Sequence, residues 1–301
     1  MKRITLFIML VAVLAMVAGA ETKKKTIKSM AKKQQEQQQQ VASTETTDYD
    51  WAIEACYHER FDEALTYINK HLKKNPNDPY GLTCLAAIQC QTGKDAEAEK
   101  TIAKASKYAV NEGDPEMLNW MYYTQSTIYL HQQDTVRAID ALNKAVEAMP
   151  GDVDCYMRLG NIYKKQQEYD LAMVNYGLAV QYDRKQVEGY LGLGTVASSL
   201  ANKGDLDKRD DAIKAFTMAL QLDPEFAECY ALRAVEYFND EEYDKSMDDI
   251  IAALDIERNN ARALWALEYV KFYAHEYAEK ALRNKAKKSN DNWWLELLKE
   301  K

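Results

Sequence analysis

A short run near the middle of the chain combines cationic and amide side chains at helical spacing. Arg158, Asn161, Lys164 and Lys165 recur at steps of three and four, so on a helix they share one face. Guanidinium and ammonium groups bind carboxylates, and an asparagine amide can hold extended peptide backbone. This basic strip therefore predicts a site for a peptide C-terminus or an acidic side chain. The same residues would also suit a solvated helix face with exposed ion pairs, which are commonplace.

Residues suited to catalysis are scattered. The four histidines are dispersed without a zinc-helix motif or a nucleophile elbow. Gly192, Gly194 and Ala197 fit a dinucleotide-binding pattern, but no strand precedes them, so a close helix contact explains them better. Acidic runs such as 240–242 fall at a turn and suit helix capping. We therefore expect no enzymatic activity and no cofactor.

The elements that position the basic strip follow a period of 34 residues. Counting from Tyr156 within 152–183, Gly160 follows after four residues, Ala172 after sixteen and Tyr176 after twenty. A small residue at the position of Ala172 allows two helices to approach, and a bulky residue four positions later fills the space beside it. The small position recurs at Ala64, Ala98, Ala138, Ala172, Ala212, Ser246 and Lys280, and the bulky one at Ile68, Ile102, Leu142, Tyr176, Phe216, Ile250 and Asn284.

This order of residues resembles the tetratricopeptide repeat (TPR), a helix-turn-helix unit of 34 residues. The resemblance implies an all-α fold, namely a right-handed superhelical solenoid of about seven repeats, and a noncatalytic scaffold that binds a protein or peptide. The seventh unit is degenerate, and insertions lie near 108–116 and 199–208. All five prolines fall at predicted repeat junctions or helix starts, where proline does not break a helix.

The first 46 residues differ from the repeats. Residues 1–20 combine two basic residues, an apolar run and an Ala-Gly-Ala ending, which is typical of a cleaved secretory signal, with an uncleaved anchor as the alternative. The Lys/Gln-rich segment 21–46 is expected to be a flexible tether with at most weak contact to anionic membranes. The solenoid then covers 47–290, and a capping helix and tail cover 291–301. We expect an exported bacterial protein, periplasmic or associated with the cell envelope, and no lipid anchor because no cysteine lies near the cut.

The chain is acidic. Its 39 basic and 47 acidic residues give a net charge of −8, which becomes −10 without Lys2 and Arg3 of the predicted signal. This balance disfavours binding to phosphate backbones. Nucleic acid is therefore not an expected partner.

The five cysteines are spaced in a way that disfavours disulfides. Cys56 and Cys90 are 34 residues apart, so they occupy equivalent sites on neighbouring first helices. Helix axes in such a stack lie about 8–10 Å apart, whereas a disulfide needs Cα atoms within about 7 Å. We expect buried or groove-lining thiols and no metal site, because no close Cys/His pair recurs.

The resemblance implies that the first helix of each repeat lines the concave surface. Helical geometry then selects the residues that face away from the second helix. The predicted peptide-binding residues are Tyr80, Thr83, Trp120, Tyr123, Thr127, Arg158, Asn161, Lys164, Lys165 and Thr195. Tyr80, Trp120 and Tyr123 also allow an alternative, a glycan-binding module in which these rings stack on sugars.

Toward the C-terminus the same surface becomes apolar. Its residues, called here the apolar patch, are Leu232, Val235, Phe238, Trp265, Tyr269 and Phe272. A patch of this size is rarely left in water. It either forms the apolar end of the groove, suited to a partner's amphipathic helix, or is covered by a last helix at 293–298. We expect the cover, because a terminal repeat needs a lid.

Overall fold

The structure, a computed structural model, describes residues 47–299. The predicted signal and tether, 1–20 and 21–46, lie outside the described residues. The regular secondary structure of the described part is entirely α-helical. None of its helices has the length and apolar character of a bilayer span.

The described residues form two compact units. In the first, up to Lys74, α1 (Asp48–Tyr57) packs on α2 (Phe61–Lys74). The second, from Asn75 onward, contains thirteen helices within the described residues. They are α3 (Pro79–Gln91), α4 (Asp95–Glu112), α5 (Pro115–His131), α6 (Thr135–Ala148), α7 (Val153–Lys165), α8 (Tyr169–Tyr182), α9 (Val187–Asn202), α10 (Asp207–Leu222), α11 (Ala227–Asn239), α12 (Tyr243–Ile256), α13 (Ala261–Tyr273), α14 (His275–Ser289) and α15 (Trp293–Glu296).

Helices of the second unit pack in chain order. The pairs are α3/α4, α5/α6, α7/α8, α9/α10, α11/α12 and α13/α14, and the second helix of each pair contacts the first helix of the next. First helices of neighbouring pairs also contact one another: α3 contacts α5, and α11 contacts α13. This arrangement confirms the predicted all-α repeat solenoid.

Burial confirms the sequence period. Ala172 and Tyr176 are both fully buried, and the preceding small and bulky positions are enclosed in the same way. A Cβ placed on Gly160 or Gly192 would come within 2.8 Å of the Tyr176 ring. Glycine is therefore required where the first helices on either side approach this aromatic residue.

A recurring turn of three residues joins the two helices of a pair. Its middle residue has positive φ, for example 75° at Gly93 and 62° at Gln167. The next backbone N–H closes the turn on the first helix, as Glu168 N donates to Tyr163 O over 3.0 Å. Such a left-handed residue satisfies the last carbonyls of the helix and reverses the chain.

The last pair departs from this turn, and the predicted register of its second helix is wrong. Only Ala274 separates α13 from α14. Because the link is two residues shorter, the buried positions fall two residues earlier than predicted, at Ala278 and Leu282 instead of Lys280 and Asn284, and both are 0% exposed.

Candidate functional site

The predicted binding residues lie on four consecutive first helices. Tyr80 and Thr83 belong to α3, Trp120, Tyr123 and Thr127 to α5, the basic strip to α7 and Thr195 to α9. Aspartates Asp78, Asp114 and Asp152 cap the N-termini of α3, α5 and α7. We call the outward faces of α3, α5, α7 and α9 the first-helix surface.

An aromatic pair joins α3 to α5. The Tyr80 hydroxyl donates to the carboxylate of Asp114, and the pKa of Asp114 is lowered mainly by this hydrogen bond. The Tyr80 and Trp120 rings lie 6.3 Å apart at 35°. The structure therefore brings these two predicted residues together.

Arg158 of the basic strip is bound to the neighbouring first helix. It donates to the Tyr123 hydroxyl over 2.6 Å and to Thr127 Oγ1 over 2.7 Å. Its guanidinium also lies 4.2 Å from the centre of the Tyr123 ring, and burial raises the pKa of that phenol. These partners are neutral, so they hold the guanidinium in place without cancelling its charge.

The rest of the basic strip lies beside this cluster on α7. Asn161 is exposed, and its Oδ1 accepts a 2.7 Å hydrogen bond from the Tyr176 hydroxyl. Lys164 is half-buried, and burial together with the charge of Lys165 lowers its pKa. Within residues 47–299 no carboxylate forms a salt bridge with either lysine, and the Lys164 ammonium lies 5.8 Å from the centre of the Tyr176 ring. The strip therefore carries positive charge that no described acidic side chain neutralises.

Two threonines differ from the rest of the surface. Thr195 is half-buried and donates to Gly192 O over 2.9 Å, so its hydroxyl is committed to its own helix. Thr83 was predicted to line the groove, but its side chain is 0% exposed. Because α3 packs directly on α5, this short side chain is enclosed between helices and cannot contact a partner.

The expected cover over the apolar patch is wrong. Trp265, Tyr269 and Phe272 are 49%, 42% and 80% exposed. The last helix, α15, packs on α14, where Trp294 is buried and the Lys285 ammonium lies 5.3 Å from its ring. Within the described residues no helix pair follows α14, and α15 covers its apolar face.

The apolar patch itself is a connected aromatic surface between α11 and α13. Phe238 lies 6.1 Å from Tyr269, ring to ring, and Trp265 lies 4.3 Å from Tyr269. These residues line a cavity of about 60 Å³ together with Val235. Leu232, one turn before, is half-buried and packs with the core formed by α9 to α11.

Buried charges, which sequence reasoning missed, tie the first helices to their neighbours. Glu236 on α11 is 1% exposed and accepts a 2.5 Å hydrogen bond from Ser198 of α9. Burial raises the pKa of this carboxyl. Arg233 forms two hydrogen bonds to Asp249 of α12, of 2.7 and 2.8 Å. Their spacing along the chain matches no motif, so only packing could reveal them.

One Cys/His pair that is distant in sequence lies close in space. Cys90 Sγ lies 3.4 Å from His131 Nδ1, although the residues are 41 positions apart. The stack brings the end of α3 beside the end of α5. Asp95 Oδ1 lies 3.4 Å from the same nitrogen. Cys155 and Cys229, by contrast, are buried thiols that donate to Asp152 Oδ2 and to Phe216 O, and burial raises the pKa of both.

Comparison with known proteins agrees with this geometry. The family model for the tetratricopeptide repeat matches residues 153–186. Protein bimA of Emericella nidulans is 29% identical over 143 residues, which cover 47% of this chain and 17% of that protein. The chain spans less than two fifths of the length of the curated relatives it matches.

Two solved structures share the architecture. The C-terminal part of a TPR repeat-containing protein from Cytophaga hutchinsonii superposes with a TM-score of 0.63 at 17% identity, covering 84% of this chain and all of that one. YrrB, described as a TPR protein with an unusual peptide-binding site, gives a TM-score of 0.54 at 22% identity, covering 67% of this chain and 97% of its own. Identities this low establish the fold alone.

The fold and the repeat geometry thus define an α-helical repeat solenoid. The family model matches one repeat, residues 153–186, and together with the solved structures it supports a solenoid of the tetratricopeptide-repeat type as the fold of the described residues.

Proposed function

We propose that this protein is a noncatalytic scaffold that binds an anionic segment of a protein partner on the first-helix surface around α7. A C-terminal carboxylate or an acidic side chain would contact the basic strip, and the rest of the peptide would extend along α5 and α9. The proposal places the protein in the bacterial cell envelope, on the strength of the signal-like sequence at 1–20.

The observation that carries the proposal is the unneutralised charge of Lys164 and Lys165. A half-buried ammonium next to a second one costs free energy unless an anion compensates it. Its lowered pKa reflects that cost. A bound carboxylate would remove the cost and gain charge-assisted hydrogen bonds.

Neighbouring groups support a peptide as the ligand. Arg158 is fixed by Tyr123 and Thr127 in advance of binding, which lowers the entropy lost on association. The exposed amide of Asn161 has its oxygen engaged by Tyr176 and can offer its N–H groups to a peptide carbonyl. A peptide-binding site is also the feature named for the similar structure YrrB.

The glycan alternative receives less support. Stacking on a sugar needs an accessible aromatic face. One face of Tyr123 is covered by the Arg158 guanidinium. The rings of Tyr80 and Trp120 remain, but their planes are inclined at 35°, so they do not form one flat surface on which a sugar ring could stack.

The test uses charge reversal with a matched control. A photo-crosslinking amino acid at Thr195, whose hydroxyl bonds to its own helix and not to Arg158, would report partners in living cells, in the wild-type background and in Lys164→Glu/Lys165→Glu. Lys287→Glu/Lys288→Glu is the control, because it reverses two exposed adjacent lysines in the last turn of a second helix.

We expect a defined cross-linked partner in the wild type and control, and at least a tenfold loss in the Lys164/Lys165 variant, equivalent to about 1.4 kcal/mol of binding energy. Equal cross-linking in all three would refute the assignment of the surface. Circular dichroism of each purified variant verifies that its helices are intact.

A further inference from the structure

Three side chains with metal-ligand chemistry meet beside the turn between α3 and α4. They are the thiol of Cys90, the carboxylate of Asp95 and the imidazole of His131, whose ligand atoms all lie within 4.8 Å of one another. The binding surface proposed above does not include them. Thiolate, imidazole and carboxylate together are a donor set that suits Zn²⁺.

Regular backbone holds the three residues in place. Cys90 is the penultimate residue of α3, and Asp95 is the first of α4. Between them Gly93 adopts a φ of 75°, and Lys94 N closes the turn on Gln89 O over 2.8 Å. His131 ends α5, which packs against both helices. Helix ends and a closed turn preorganise a site better than a flexible loop.

Two of the three ligand separations are close to those of a tetrahedral zinc site, and the third lies within 4.8 Å. Zinc–sulfur and zinc–nitrogen bonds of about 2.3 and 2.05 Å at tetrahedral angles place sulfur about 3.6 Å from nitrogen. A zinc–oxygen bond of about 2.1 Å places nitrogen about 3.4 Å from oxygen. Here Cys90 Sγ lies 3.4 Å from His131 Nδ1, and that nitrogen lies 3.4 Å from Asp95 Oδ1.

The same geometry disfavours a nucleophilic triad. In such a triad the carboxylate contacts the imidazole nitrogen opposite to the one facing the nucleophile. Here the thiol and the carboxylate both face Nδ1 of His131. Coordination of a single metal ion requires that the ligand atoms converge on one point, as these do.

The carboxylate oxygen of the cluster has no strong donor. Asp95 Oδ1 is a buried atom, and its described neighbours are His131 Nδ1, 3.4 Å away, and the Cys90 thiol. A buried carboxylate oxygen is stabilised most directly by a cation. Cys90 is 1% exposed, whereas the His131 side chain is 43% exposed, so the cluster is closed on the thiol side and open to solvent on the imidazole side.

The fold does not need this cluster. At the equivalent points of the next two repeats, the position of Cys90 holds Leu130 and Lys164, and that of Asp95 holds Thr135 and Tyr169. The turns in those repeats form equally well. The three ligand-type residues therefore call for an explanation beyond repeat packing.

We propose that Cys90, Asp95 and His131 form a three-ligand Zn²⁺ site, with a fourth position for water or an external ligand. On binding, the thiol proton is released to solvent and the sulfur becomes a thiolate ligand. The ion would join the α3–α4 turn to the end of α5 and so brace the first two pairs of the second unit.

The test is cobalt substitution of the full chain, purified without a histidine tag and freed of metal. Tetrahedral Co²⁺ bound by a thiolate gives a sulfur-to-cobalt charge-transfer band. Zinc titration by calorimetry follows, with Cys90→Ser, Asp95→Asn and His131→Gln as variants. Cys229→Ser is the control, since it removes a buried thiol from another repeat.

We expect one Co²⁺ per chain with a charge-transfer band that Zn²⁺ displaces. The band should disappear in Cys90→Ser, and zinc affinity should fall at least tenfold in Asp95→Asn and His131→Gln, with Cys229→Ser unchanged. A wild-type protein without the band, or a band that survives Cys90→Ser, would overturn the site. Melting of each variant without metal separates lost binding from lost folding.

Discussion

Close contact between glycine and an aromatic ring is a feature of the stack that a single methyl group can test. A Cβ on Gly194 of α9 would lie 2.4 Å from Phe216 Cε1 and 2.6 Å from Cδ1. Carbon atoms prefer about 3.5–4.0 Å, so the ring must retreat by more than about 1 Å. Phe216 is 0% exposed, so close packing around the ring opposes this movement.

Gly177→Ala provides the matched control. Gly177 lies within α8, and a Cβ there meets nothing within 4 Å. Replacing a helical glycine by alanine stabilises by about 1 kcal/mol. Overpacking a core costs about 1–3 kcal/mol. Gly177→Ala should therefore stabilise the protein, and Gly194→Ala should be about 1–3 kcal/mol less stable than that control.

Thermal unfolding followed by circular dichroism measures the difference. About 2–4 °C per kcal/mol is expected for a chain of this size, so the melting temperatures should differ by about 2–12 °C. Combining Gly194→Ala with Phe216→Leu should recover part of the loss, because the substituted positions touch. If Gly194→Ala were as stable as Gly177→Ala, the packing argument would fail.

Two further predictions concern buried charge. Arg233→Ala leaves Asp249 buried without its cation, so we expect the free energy of unfolding in urea at pH 7 to fall by about 3–5 kcal/mol. Lys144→Ala, which breaks an exposed pair, should lower it by less than about 1 kcal/mol. Similar losses in the two variants would contradict this prediction. Burial raises the folded-state pKa of Glu236, so the unfolded chain releases that proton first as pH rises above about 4.5. The stability of wild type relative to Glu236→Gln, which keeps an acceptor for Ser198, should therefore fall with rising pH from that point; a flat or rising difference would disprove the assignment.

The repeat register could be predicted from sequence because it depends on side-chain size alone. Ala172 and Tyr176 pack where the 34-residue period places them, and so do their counterparts up to Ile250. The register of α14 could not be predicted, because it depends on a link shortened to Ala274. The residue types around Ala274 do not indicate that the link is only one residue long.

The candidate surface was predictable only in part. Helical spacing placed the basic strip on one helix, but it could not show that Arg158 donates to Tyr123 of the preceding repeat. It also placed Thr83 on an open face, since periodicity does not reveal how closely α3 and α5 approach. The Cys90–His131 approach depends on the same stacking distance and has no local sequence signal.

Hydrogen exchange of the chain, alone and saturated with the partner recovered by cross-linking, tests the central claim most directly. The account predicts slower exchange at the ends of α5, α7 and α9 that face the basic strip, with α6, α8 and α10 unchanged. Protection confined to the second helices, or to the apolar patch between α11 and α13, would contradict it.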